Sequence, residues 1–188
     1  MRAAGNVTIH KFYPRKEPCK DTVGGLKAVY FTDFGDYGTV TETDDEITDL
    51  TGTFTAFKYE LKGNSSFEQA ITSSRENGTT FFDQTLTLTL KKLSKEDNKE
   101  LKLLAYGRPH VAVEDYNGNV FVMGLQHGAE VTGGTVSTGA AMADLSGYTL
   151  TLNAQEVKPA NFVNAPTAAD PFAGMSSATV TVTEGTNS

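Results

Sequence analysis

Between Thr80 and Leu90 the chain alternates without a break. Phe82, Gln84, Leu86, Leu88 and Leu90 take one side, and Phe81, Asp83, Thr85, Thr87 and Thr89 take the other. A β-strand sends successive side chains to opposite faces, so this period of two predicts one mostly apolar face and one threonine ladder. Such a strand must bury one face and leave the other in water. Tyr148, Leu150, Leu152 and Ala154 against Thr149, Thr151, Asn153 and Gln155 repeat the pattern. Val111–Glu114 and Val120–Leu125 flank Asp115-Tyr116-Asn117-Gly118-Asn119, whose Asn-Gly pair supplies the positive φ angles of a hairpin. Further strands are predicted at Leu26–Thr32, Phe54–Leu61, Phe67–Arg75 and Ala129–Val136, with Asn64 and Asn77-Gly78 marking the reversals.

One helix is predicted. Ser94 caps it, Glu96, Asp97 and Glu100 place negative charge in its first turns, and Leu101, Leu104 and Ala105 form a docking stripe. Gly107-Arg108-Pro109 ends it. The expected fold is therefore mainly β: an antiparallel β-sandwich or rolled sheet with one packed α-helix. Three regions are expected: a basic N-terminal arm over 1–22, the β-sandwich over 23–163, and a small-residue C-terminal tail over 164–188. Ala, Pro, Asn and Ser dominate that tail, with a short closing strand at Thr179–Thr183.

Charge is unevenly distributed along the 188 residues, whose formal net charge is −7. Residues 1–27 carry six bases and two acids, whereas residues 28–57 hold seven acids and no base. A basic arm beside an acidic body lets copies attract one another head to tail, although both segments also suit solvated loops. The acidic balance argues against ordinary nucleic-acid binding, which requires clustered Lys and Arg. No apolar run is long enough for a membrane helix, and the first residues lack the apolar stretch of a secretory signal. Cys19 is the only cysteine, so no internal disulfide is expected.

Chemistry-bearing motifs are sparse. His10, His110 and His127 have no metal-ligand spacing, and structural roles at strand ends suit them better. Cys19 has no triad signature. Thr43-Asp44-Asp45-Glu46 lacks the ligand spacing of a calcium loop and reads as a solvated acidic loop. Neither Gly24-Gly25 nor Gly133-Gly134 opens onto a helix, so neither cradles phosphate. No catalytic residue, cofactor or metal is expected, and the chain is not read as an enzyme.

The order of these features resembles the major tail tube proteins of tailed bacteriophages, particularly those infecting Bacteroidetes-type hosts. The residues that carry the resemblance span roughly 19–163. They are Gly24-Gly25-Leu26-Lys27-Ala28-Val29-Tyr30 after a lone Cys, the acidic loop, and Arg75-Glu76-Asn77-Gly78-Thr79-Thr80. Lys91-Lys92-Leu93 before a capped helix, the Asp115–Asn119 hairpin, and His127-Gly128-Ala129-Glu130 follow. Asp144-Leu145-Ser146-Gly147-Tyr148-Thr149-Leu150-Thr151-Leu152 and Glu156 complete the set. The resemblance implies a virion protein, made in the host cytoplasm, that forms hexameric rings with a continuous inner β-barrel. Stacked rings make the tube through which the genome is ejected. Its partners would be further copies of itself and other tail or virion proteins, with only transient passage of DNA and no membrane.

Two sets of residues become candidates on this reading. Glu68, Thr72, Asp83, Thr85 and Thr87 are expected to face the lumen, where a polar, acidic wall would let DNA slide; an outward, solvent-facing position suits them equally. Asp33, Asp36, Glu42, Asp44, Asp45, Glu46 and Asp49 form a candidate ring-stacking loop for a neighbour's basic arm. Alternative readings are a capsid decoration or head–tail joining protein, and a β-sandwich carbohydrate- or cell-binding module. The absence of Trp weighs against the last of these.

Overall fold

The structure, a computed structural model, describes Lys16 and residues 20–185; His10, Cys19 and most of the expected basic arm lie outside the described residues. In chain order the elements are β1 (Leu26–Thr32), β2 (Val40–Thr43), β3 (Glu46–Leu50), β4 (Gly52–Glu60), β5 (Ser66–Ser74) and β6 (Thr79–Lys91). There follow α1 (Lys95–Tyr106), β7 (His110–Asp115), β8 (Val120–Met123), β9 (Glu130–Ser137), β10 (Gly147–Glu156), β11 (Phe162–Val163) and β12 (Ala178–Glu184). They build an eight-stranded sheet, ordered β12-β4-β1-β7-β8-β11-β3-β2, and a four-stranded sheet, ordered β5-β6-β10-β9. The mainly β fold with one helix is as the sequence predicts.

The larger sheet is forced to curl. β3 and β4 are separated in the chain by Thr51 alone, yet stand five places apart in the strand order. Only a sheet rolled toward itself brings those ends together. Gly52 makes the corner at φ 122°, where a Cβ would lie 2.7 Å from the Asp36 carbonyl oxygen. Inside the roll lie Ala28, Tyr30, Ile47, Leu50, Phe54, Ala56, Ala112, Val120, Val122 and Val163. Its outer face carries Val29, Phe31, Val111, Val113 and Met123, which pack on Leu86, Leu88, Leu152 and Ala154 of the smaller sheet. β1 is therefore buried on both sides, as its nearly unbroken apolar run requires.

The segment after residue 164 is not a tail. Phe172 (1% exposed) and Met175 (7%) plug the inner roll, and Phe172 meets Phe54 edge to face at 5.3 Å. β12 then pairs in parallel with β4. The Asp49 carboxylate accepts hydrogen bonds from the Ser176 and Ser177 hydroxyls and the Ser177 amide, fixing the entry to that strand. Two buried anchors among many small residues were enough to order the segment, and averaged composition hides them.

A second departure concerns the acidic stretch 33–49, expected as a loop. β2 and β3 form a hairpin within it, with Thr43 opposite Glu46. Asp44 (φ 54°) and Asp45 (φ 64°) supply the two left-handed residues that a tight two-residue turn requires, a conformation short Asp side chains tolerate.

The helix begins as predicted: the Ser94 hydroxyl accepts from the Asp97 amide at 2.9 Å. It sits at the periphery, where Leu104 packs on the core between the sheets, Leu101 is half-buried and Ala105 is exposed.

Replacing Phe172 with Ala should cost about 3–5 kcal/mol of stability, the usual range for emptying a large aromatic site in a core. Guanidinium unfolding of the variant will read this; an unchanged midpoint would put the C-terminal segment outside the core.

Candidate functional site

The four-stranded sheet is built on its two long central strands. β6 pairs with β10 over ten residues, from Gly147 opposite Lys91 to Glu156 opposite Phe82. Leu86 opposite Leu152 and Leu88 opposite Leu150 face the core, so the residues between them face away from it. β5 adds Glu68 opposite Thr85 and Thr72 opposite Phe81, and β9 adds Thr135 opposite Thr149.

Glu68, Thr72, Asp83, Thr85 and Thr87 consequently lie on one face, turned from the core. Their neighbours there include Thr89, Thr149, Thr151, Asn153, Thr135 and Glu130. The Asn153 amide donates to Asp83 at 2.6 Å and reaches Thr85 at 3.4 Å, so side chains link adjacent strands. The acids on this face are Glu68, Asp83 and Glu130, and the one base on its strands, Lys91, stands at the end of β6. Phe81 is its one large apolar member.

Among the described residues both borders of this sheet, its outermost strands β5 and β9, lack a partner strand, and α1 packs beside β9. Each border also carries an uncovered aliphatic side chain on the core-facing parity. Ile71, opposite Phe82, is 70% exposed, and Val136, opposite Tyr148, is 64% exposed.

The seven acids expected as one stacking loop are divided in role. Asp33, Asp36, Asp44 and Asp45 are exposed. Glu42 is ion-paired with Lys158, and Asp49 is engaged with Ser176 and Ser177, whose hydrogen bonds hold its carboxyl below the usual range. Glu46 is half-buried on β3 beside Phe162 of β11.

The histidines within the described residues are held by local bonds. His110 is 3% exposed: its Nδ1 meets the Gly124 carbonyl at 2.8 Å and its Nε2 accepts from the Gly35 amide at 3.2 Å. Its ring stacks on Tyr37 at 4.4 Å. These contacts require the neutral ring with its proton on Nδ1, and burial lowers its pKa. His127 Nδ1 lies 3.0 Å from the buried Glu156 carboxylate, which also accepts the Gln126 and His127 amides. Among the described residues, no group of three or more His, Cys, Asp or Glu stands placed to hold a metal ion. No helix there is long and apolar enough to cross a membrane.

A feature that the sequence reading missed is an aromatic cleft where the sheets part beside β5. Phe67, Phe121 and Phe162 line it, with Phe121 and Phe162 centroids 4.6 Å apart. These phenylalanines come from three separated elements, and Phe162 belongs to a two-residue strand with no periodic signal.

No family model, curated protein or solved structure matches the chain.

Because protonation of His110 is disfavoured in the fold, the unfolded chain binds the extra proton first. Stability contributed here is complete above about pH 6.5 and falls as pH drops below that value. Urea midpoints at pH 7.5, 6.5 and 5.5 should therefore decline more steeply for the native chain than for a His110→Gln variant. Parallel curves would sink the assignment.

Proposed function

We propose that this protein is a self-assembling structural subunit whose copies join edge to edge into rings, the rings stacking into the tail tube of a tailed bacteriophage. The observation that carries the reading is the pair of open borders on the four-stranded sheet, together with its polar face.

Strand direction supports it. The sheet is antiparallel throughout, so with four strands β5 and β9 run in opposite senses. Rotation about a ring axis preserves the sense of each strand along that axis. β9 of one copy would therefore meet β5 of the next in antiparallel register, and the alternation continues around a closed barrel. Ile71 and Val136 would be covered at that seam, and the four-stranded sheet would keep no open edge. The face bearing Glu68, Thr72, Asp83, Thr85 and Thr87 would line the bore. Threonine hydroxyls there meet water, and the three carboxylates repel phosphate, so passing DNA finds few cations to hold it.

Negative-stain electron microscopy of the purified protein tests this directly: rings or tubes with a central channel are expected, and a monomer at high concentration refutes it. An Ile71→Lys, Val136→Lys variant should stay folded, because both side chains are already exposed, yet fail to form rings, because a charge would be buried at each seam. Rings that persist in that variant would rule out these borders as the joint. An Asp83→Lys, Thr85→Lys variant should assemble but slow genome ejection by particles that carry it; unaltered ejection would place this face away from the bore.

A further inference from the structure

We propose that the N-terminal segment of this chain, residues 1–15, docks in the aromatic cleft beside the β2–β3 hairpin tip. The proposal does not depend on ring assembly.

Two adjoining clefts of about 360 and 450 Å³ share Phe162 and Asp45. The first is walled by Phe67, Phe121 and Phe162; the second carries Asp44, Asp45 and Glu46 on its rim. Together they offer apolar floor and negative edge, the surface that a basic peptide with aromatic side chains fits. Asn161 also lines the first cleft. It is 2% exposed, and its amide oxygen and nitrogen have no hydrogen-bond partner among the described residues. An amide with donor and acceptor both vacant is unusual in a finished interior, and matches the paired N–H and C=O of an arriving peptide backbone.

The chain itself names the occupant. Residues 1–15 contain Arg2, Lys11 and Arg15 with no acid, and Val7, Ile9, Phe12 and Tyr13 as apolar side chains. Their point of departure is fixed close by. The Val23 amide donates to the Asn117 side chain at 3.0 Å, and Asn117 returns a bond to the Val23 carbonyl at 2.9 Å. Gly118 and Asn119, the next residues of that turn, line the second cleft. From Lys20, nine residues lead back to Lys11, a reach of up to about 30 Å when extended. Length, origin and charge therefore all bring this segment to the acidic rim.

Zero-length carbodiimide coupling of the full chain, read by mass spectrometry, tests the placement. Lys11 should become linked to Asp44, Asp45 or Glu46. The Lys158–Glu42 ion pair already in place provides an internal positive control. Replacing Phe12 and Tyr13 by Ser should cut the Lys11 link by about tenfold and leave the control unchanged. Lys11 linked to acids outside this cleft, or to none while the control forms, overturns the proposal. An undiminished link in the Ser variant overturns it as well.

Discussion

Strand β1 has no solvent side, and the rest of the molecule is arranged around that fact. Ala28 and Tyr30 point into the rolled sheet while Val29 and Phe31 point to the smaller one, so seven residues serve two cores. Full burial of Tyr30 creates a further demand, since a hydroxyl taken from water needs an acceptor. Glu114 on β7 provides it at 2.8 Å, and the buried carboxylate is in turn met by Lys27 at 2.5 Å. Burial, reinforced by that carboxylate, pushes the Tyr30 hydroxyl well above the usual tyrosine range. The polar chain from Lys27 to Tyr30 thus follows from the apolar pattern and could not be moved without unpicking it.

The parts of this architecture legible in the sequence are those where local chemistry and tertiary packing agree. Alternation in 80–90 and 148–154 survived as β6 and β10 because one face met a core and the other met none. The turn at Asp115 was legible for the same reason. Although burial opposes it, hydrogen bonds from Asn119 and Asn117 hold the Asp115 carboxyl below its usual range, so the turn residues satisfy one another locally. All five residues assigned to the polar face share it because parity within a strand and register between strands are both fixed by the leucines behind them.

Less local features escaped. Strand β2 is only four residues long, half of them exposed, within an acidic stretch, so nothing in its composition distinguishes it from a solvated loop; its partner β3 and the left-handed Asp pair make it a strand. β12 owes its order to a parallel partner well over a hundred residues earlier in the chain. The aromatic cleft joins Phe67, Phe121 and Phe162, whose spacing carries no period at all. Pairings of this kind are products of topology, and no window along the chain contains them.

The parallel seam between β12 and β4 also sets an order of events during synthesis. Strand β4 leaves the ribosome early, but its inward Phe54 and Ala56 gain their final cover only when residues 172–184 arrive. Until then the inner roll lacks its plug and one wall, and its apolar lining stays open to water. A polypeptide cut short before Phe172 would keep its polar face while its inner roll lacked Phe172, Met175 and β12. Synthesis through residue 184 is thus a precondition for closing this interior.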